Sequence, residues 1–289
     1  MRIVSFFFKD KDDSLSLYFF RVSLGIFLLI HFLSINSDFD LFYSSKGIVP
    51  IDVQMLYREG YFIGISDIVN YFNINENLFI ISFKIVYVIF CFGLIFGFFT
   101  RLSSFFLIMM HLIMVKGASF YSYGVDFFAS IALTYSFLFP LGQVNSIDVK
   151  IFKQRIVNFT PYRRILQIHM SIVYLVSGFD KVVGYNWRNG EAIWKSIHLP
   201  FFNLDSQNYF NSFSSFPVVF VLMGWGVVII ELCYPIFMWI DKTRKVWLVA
   251  VVSMHLGIAF VLNLYFFSAI MIILNISAFH SFKEKNIIE

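Results

Sequence analysis

Ten ionisable side chains stand inside otherwise apolar runs of this chain: Arg21, His31, Lys84, His111, Asp126, His169, Asp180, Lys181, Glu231 and His255. A charge at bilayer depth costs from roughly 2.5 to above 10 kcal/mol, so such residues face a cavity, water or a partner. One or two would be incidental; this many imply a polar interior. Lys181 closes an apolar run in Ser177-Gly178-Phe179-Asp180-Lys181. On a helix, Ser177 lies one turn back on the same face and Tyr174 one turn further. A lysine partly withdrawn from water can act as a general base near neutral pH. It can equally snorkel to the interface or pair with a carboxylate such as Asp126.

Glu231 and His255 sit on neighbouring runs joined by Asp241 to Lys245, each about ten residues from that loop. Antiparallel helices would bring them to equal depth. A buried Glu–His pair could relay protons or bind a polar ligand, or it could be a hydrogen bond that holds two helices together. Asp126 follows Tyr121, Tyr123 and Gly124, where an acid either caps a helix or lines a site. His111 lies deep. Arg21 lies toward one headgroup level and reads as structural, and His198, before Pro200, is uninformative alone. Gly93 and Gly97 form a Gly-x-x-x-Gly pair that could mark close helix packing. No His-Glu-x-x-His zinc motif, nucleotide loop or Gly-x-Ser-x-Gly elbow is present.

The elements that must carry these groups follow from composition. Hydrophobic residues make up 59% of the chain and charged residues 14%, against about 25% in soluble domains. About 20 apolar residues span a bilayer as a helix. Spans are expected near 15–35, 78–99, 102–117, 124–142, 165–183, 216–240, 246–262 and 264–280. The fold class is therefore all-α, a polytopic membrane helix bundle of about eight transmembrane helices in a single domain, 1–289. Six helices would suffice if 102–142 is partly re-entrant, and the last two spans could be one pair folded tightly around Asn263.

With the N-terminus cytoplasmic, fourteen of the 22 Lys and Arg fall on cytoplasmic segments, five on outer segments (Lys46, Arg58, Lys116, Arg188 and Lys195) and three within spans. This follows the positive-inside rule and puts both termini in the cytoplasm. Asp126, Asp180 and Lys181 then lie near the outer face. No small-residue cleavage site follows the first apolar run, so it is expected to remain as a span in the plasma (inner) membrane. Two outer loops, 36–77 and 184–215, mix aromatic and polar residues, including Tyr43, Tyr57, Tyr61, Trp187, Trp194, Phe201 and Phe202. They either anchor at the interface or cap an outward cavity. Cys91 and Cys233, both in apolar runs, form no Cys-x-x-Cys pair and read as buried thiols. The net charge of +4 reads as topology, with no nucleic-acid surface.

Four stretches, in order, resemble the HTTM family, the membrane domain shared with vitamin K-dependent gamma-carboxylase. They are Phe20-Arg21-Val22-Ser23-Leu24-Gly25 leading to Tyr43 and Gly47-Ile48-Val49-Pro50; Gly124-Val125-Asp126 leading to Phe139-Pro140 and Ser146-Ile147-Asp148; Gln167-Ile168-His169 through Tyr174 and Ser177 to Lys181, then Asn186-Trp187 and Gly190-Glu191-Ala192; and Glu231 with Tyr234-Pro235, then His255-Leu256-Gly257. The resemblance implies an all-helical membrane domain with its site toward the non-cytoplasmic side. In the carboxylase a lysine after the Gly of the third motif deprotonates vitamin K hydroquinone, and Lys181 matches it by position. The carboxylase also carries a large soluble region that holds its peptide substrate; this chain stops at Glu289 and looks more like bacterial stand-alone members, one of which helps mature a secreted toxin peptide with a partner protein.

The expected function is therefore that of a membrane enzyme or enzyme subunit acting at an outward cavity on a quinone or hydroquinone cofactor, a secreted peptide, or both. Lys181, His255 and Glu231 would be the catalytic groups. Asp126, Asp180, Tyr174, Trp187 and His111 would bind the ligand, with no metal. Membrane lipids, a secreted peptide and a soluble protein are the expected partners. The alternative is a non-catalytic accessory factor for peptide maturation or export. A transporter is weaker, since no inverted repeat or broken-helix pair stands out.

Overall fold

A computed structural model of the chain describes residues 2–9, 13–57, 62–153, 157–199 and 204–282. Lys11, Arg58, Tyr61, Arg155, Pro200, Phe201, Phe202, Lys283 and Lys285, and both chain ends, lie outside the described residues. Every regular element among the described residues is helical. The eight long helices are α1 (Ser14–Ile35), α2 (Glu76–Phe96), α3 (Thr100–Gly117), α4 (Gly124–Leu138), α5 (Thr160–Val183), α6 (Val218–Phe237), α7 (Asp241–Leu262) and α8 (Tyr265–Phe279). Five of them, α1, α2, α3, α6 and α7, are long and apolar enough to cross a membrane, and α4 and α8 are shorter apolar helices. The chain is a multi-pass helical membrane protein.

The ends of these helices have local causes. Asn75 caps α2 by accepting from the Leu78 amide at 3.2 Å. Helix α4 stops at Leu138, because Phe139 precedes Pro140 and is extended. The last pair turns at Asn263, which is left-handed (φ 54°). The segments between α1 and α2 and between α5 and α6, expected as outer loops, are not plain loops. They fold as short helices, Phe39–Tyr43, Ile51–Tyr57 and Ile65–Phe72 in the first, and Tyr185–Arg188, Glu191–His198 and Leu204–Asn211 in the second.

The chain forms two compact units, one of residues 17–159 and one of residues 1–16 with 160–289. In the 17–159 unit, the turn from α2 to α3 is held by two buried charges. Arg21 is fully buried. Its Nη1 donates to the Leu94 and Ile95 carbonyls at 2.9 and 2.8 Å, and its Nη2 to the Val144 and Asn145 carbonyls at 3.3 and 2.8 Å. The Ile95 carbonyl is an orphan acceptor of the last turn of α2, and the Leu94 carbonyl also takes the Gly97 amide at 3.3 Å. Asp148 does the converse at the start of α3, accepting from the Phe99 amide at 2.6 Å and from the Thr100 amide and hydroxyl at 2.8 and 2.6 Å. Gly97 between them is left-handed (φ +68°), and a Cβ there would collide with Ser146 and the Arg21 guanidinium. Gly97 is thus a helix cap and not half of a packing motif. Lys84, within α2, reaches the Asn36 carbonyl (3.3 Å), Asp40 (3.7 Å) and the Phe39 ring (5.0 Å). The segment that follows α1 therefore supplies its partners.

In the other unit α5 packs along α6 and α8, and α7 joins α6 to α8. Gly178 permits the closest approach: a Cβ there would lie 2.9 Å from the Leu232 backbone nitrogen. The Trp187 carbonyl approaches α6 in the same way at Gly224.

Replacing Arg21 with Met removes a hydrogen bond from each of four carbonyls, and we expect a loss of about 3–5 kcal/mol in detergent unfolding experiments. Arg21→Lys should recover less than half of that, because an ammonium cannot span both pairs of carbonyls. A loss below about 1 kcal/mol for Arg21→Met would show that the α2–α3 turn does not depend on this residue.

Candidate functional site

One helical face of α5 carries Ser171, Tyr174, Ser177 and Lys181, and all four are engaged. Lys181 Nζ donates to Ser177 Oγ at 2.6 Å and to Glu231 Oε2 on α6 at 2.8 Å. The side chains of this pair are 18% and 8% exposed. Helix α5 ends at Val183, and the turn at Gly184 starts the short helix Tyr185–Arg188. That turn brings the Trp187 ring to 5.1 Å from Lys181 Nζ. The ammonium is thus bounded by a carboxylate, a hydroxyl and an aromatic face, and its charge is compensated on two sides.

A second polar group lies about two turns back along α5. Asn275 Nδ2 donates to Tyr174 Oη at 2.8 Å and to the Met271 carbonyl at 2.8 Å, which uses both amide hydrogens. Tyr234 donates to Asn275 Oδ1 at 2.7 Å, and its ring stacks on Tyr174 with centroids 4.1 Å apart. Tyr174 Oη and His255 Nε2 are 2.7 Å apart. With Tyr174 donating its own hydrogen to His255 Nε2, the imidazole would carry its proton on Nδ1; the 2.7 Å contact fits the reverse direction equally. Nδ1 is buried and has no partner among the described residues. In the tautomer protonated at Nδ1 this is an unanswered N–H, as Arg21 Nε is among the described residues.

The expected site residues therefore divide. Lys181, Glu231, Tyr174, His255 and Trp187 all belong to the unit of 1–16 and 160–289. Within it Lys181, Glu231 and Trp187 meet, as do Tyr174 and His255. The Glu231–His255 pair expected from equal depth is not formed: Glu231 binds Lys181, and His255 binds Tyr174. Asp180 is exposed, about 100° around the helix from Lys181. Asp126 and His111 belong to the 17–159 unit, and there they meet. Asp126 Oδ2 accepts from the Tyr123 amide at 3.0 Å, which closes a capping box at the start of α4. His111 Nε2 donates to the Asp126 carbonyl at 3.2 Å. Burial, and then the Asp126 carboxylate, push the Tyr123 phenol up to about 12, so it stays neutral at physiological pH. Asn275 was not singled out by the sequence reading. Its signal was a lone amide in the apolar run of α8, and such an amide needs a partner within the bundle.

Comparison with protein-family models, curated proteins and solved structures gives no match. Among the described residues no group of three or more His, Cys, Asp or Glu could hold a metal ion. The chemistry therefore has to be read from the groups themselves. In a Lys–Glu ion pair the ammonium has no lone pair to offer, and the carboxylate has acceptor capacity left.

Lys181→Met and Glu231→Gln should each lower stability by roughly 2–4 kcal/mol. This is below the 3–5 of a fully buried pair, because Lys181 keeps some contact with solvent. The double variant Lys181→Met/Glu231→Gln should lose much less than the sum of the two. Unfolding by SDS in mixed micelles measures all three, and strict additivity would show the pair to be uncoupled.

Proposed function

We propose that this chain is a membrane enzyme or enzyme subunit that removes a proton from a weakly acidic, largely apolar ligand of the hydroquinone type. Lys181 and Glu231 would be the reacting pair. The observation that carries the reading is that pair, held at 2.8 Å between α5 and α6 and largely withdrawn from water. Glu231 takes the proton. Lys181 stays cationic and stabilises the ligand's new oxyanion, while the Trp187 ring lies beside it as an apolar wall. The Tyr174–His255 pair offers the orphan Nδ1–H of His255 as a second donor for a ligand oxygen. The resemblance of the third and fourth motifs to the HTTM membrane domain supports the same class of chemistry, with a secreted peptide as a further substrate and a soluble protein as partner. It differs on one role, since the paired lysine acts here through its charge.

The reading includes a topology: eight spans in the plasma (inner) membrane, both termini cytoplasmic, and the Lys181 end of α5 outward. The distribution of Lys and Arg supports it. The non-catalytic reading is favoured by the close approach of α5 to α6 at Gly178, which makes the ion pair a clamp between two helices.

Two experiments test this. With Cys91 and Cys233 replaced by Ala, a cysteine at Asn186 should react with an impermeant maleimide on intact cells. One at Lys242 should react only after permeabilisation, and the reverse pattern would overturn the orientation. A short-chain naphthohydroquinone analogue should quench tryptophan fluorescence of the purified protein, with binding weakened about tenfold or more by Glu231→Gln and by Lys181→Met. Undiminished binding by both folded variants would leave the clamp as the role of the pair.

A further inference from the structure

The opposite end of α5 carries a second feature that the proton-transfer site does not use. Asp13, Ser16, Arg163, Arg164, Gln167, Arg244, Ser281 and Phe282 enclose a cavity of 160 Å³ within the unit of 1–16 and 160–289. This is below the roughly 300–1,000 Å³ of organic-ligand pockets, so the space suits a small ion or a head group, not a cofactor. Three guanidinium groups converge on it. Arg163 is fully engaged by Asp13 (2.5 Å) and the Ala278 and His280 carbonyls (2.9 and 2.6 Å), and it builds the wall.

The other two are only partly engaged. Arg164 donates from Nη1 to Gln167 at 2.8 Å, but its Nε is buried without a partner among the described residues. Its guanidinium plane is held by the Phe6 and Trp239 rings, 4.6 and 5.4 Å away. Arg244 Nε donates to the Met238 carbonyl at 2.9 Å. Its Nη2 reaches the Trp239 carbonyl at 3.3 Å and the exposed Asp241 at 2.7 Å. Counting Asp13 and Asp241 against the three arginines leaves an excess of one positive charge. A rigid, ring-stacked guanidinium with an unused donor, beside a second one, matches the tetrahedral oxygens of a phosphate. The positive-inside count puts this end of α5 at the cytoplasmic headgroup level, where anionic lipids concentrate and basic pockets between helices bind their head groups.

We infer that this cavity binds a phosphate-bearing anion, held by Arg164 and Arg244 and supplied by an acidic lipid of the adjoining leaflet or by solution. The test is thermal unfolding of the purified full chain in detergent with added phosphatidylglycerol, phosphatidylcholine or inorganic phosphate. Phosphatidylglycerol should raise the melting temperature and phosphatidylcholine, whose choline offsets the phosphate charge, should not. A rise with inorganic phosphate alone supports the site with solution as the source. Arg244→Gln should weaken the apparent affinity about tenfold, and Arg164→Gln at least as much. Lys195→Gln removes an equal charge from an exposed position on the short helix Glu191–His198 and should leave the response intact. Each shift is read against the same variant without ligand, so a general loss of stability does not mimic the effect. If Arg164→Gln fails to fold, Arg244→Gln decides. No response to either anion, an equal response to phosphatidylcholine, or an equal loss in Lys195→Gln overturns the proposal.

Discussion

A charge surrounded by hydrocarbon persists only where the protein itself supplies the partner that water would have been. That constraint shapes both units of this molecule. Arg21 meets four carbonyls with its two Nη atoms, its Nε having no partner among the described residues; Asp148 meets two amides and a hydroxyl, Lys84 the segment that follows α1, and Lys181 Glu231. The partners differ in kind, and the difference separates structure from chemistry. Backbone carbonyls and amides cannot change protonation state, so Arg21 and Asp148 fix a turn and do nothing more. A carboxylate can, so the Lys181–Glu231 pair is an ion pair whose charge state a ligand could alter.

The same logic orders the groups along α5. At one end the ammonium meets a carboxylate. In the middle a tyrosine, a histidine and an asparagine exchange neutral hydrogen bonds, and at the other end arginines gather around a polar cavity. A helix with such a face is too polar to count as a span by composition, although its 24 residues are long enough to cross. Its polar stripe is covered by α6, α7 and α8, whose own outward faces are apolar. A helix of this kind is stable in a membrane only as the interior member of a bundle.

Much of the frame was legible in the sequence, because it is written in runs of apolar residues. All eight expected spans correspond to helices, and the boundaries moved where local rules intervened: Asn75 capped α2, Pro140 stopped α4, and Asn263 turned the last pair. The short helices between α1 and α2 and between α5 and α6 escaped notice because four to eight residues carry too little periodicity. Asp126 was legible as a cap from its place three residues after Tyr123. The pairing of Lys181 with Glu231 was not, since 50 residues separate them and only helix rotation decides which side chains face each other. The expected Glu231–His255 pair failed for that reason: equal depth fixes the height of two residues, not their azimuth.

Azimuth also explains why the Tyr174 group and the Lys181 group remain distinct. Asn275 commits both amide hydrogens, to Tyr174 and to Met271, and its oxygen to Tyr234, so every atom of that amide is satisfied. If Tyr174 donates to His255, the hydrogen-bond directions run one way, from Asn275 to Tyr174 to His255, and end at a buried N–H with no partner among the described residues. A purely structural network would gain by closing on itself, because an unanswered donor in a low-dielectric interior costs about 1–3 kcal/mol. Leaving the chain open at His255 is sensible if an acceptor arrives there from outside the fold, and a ligand oxygen is such an acceptor.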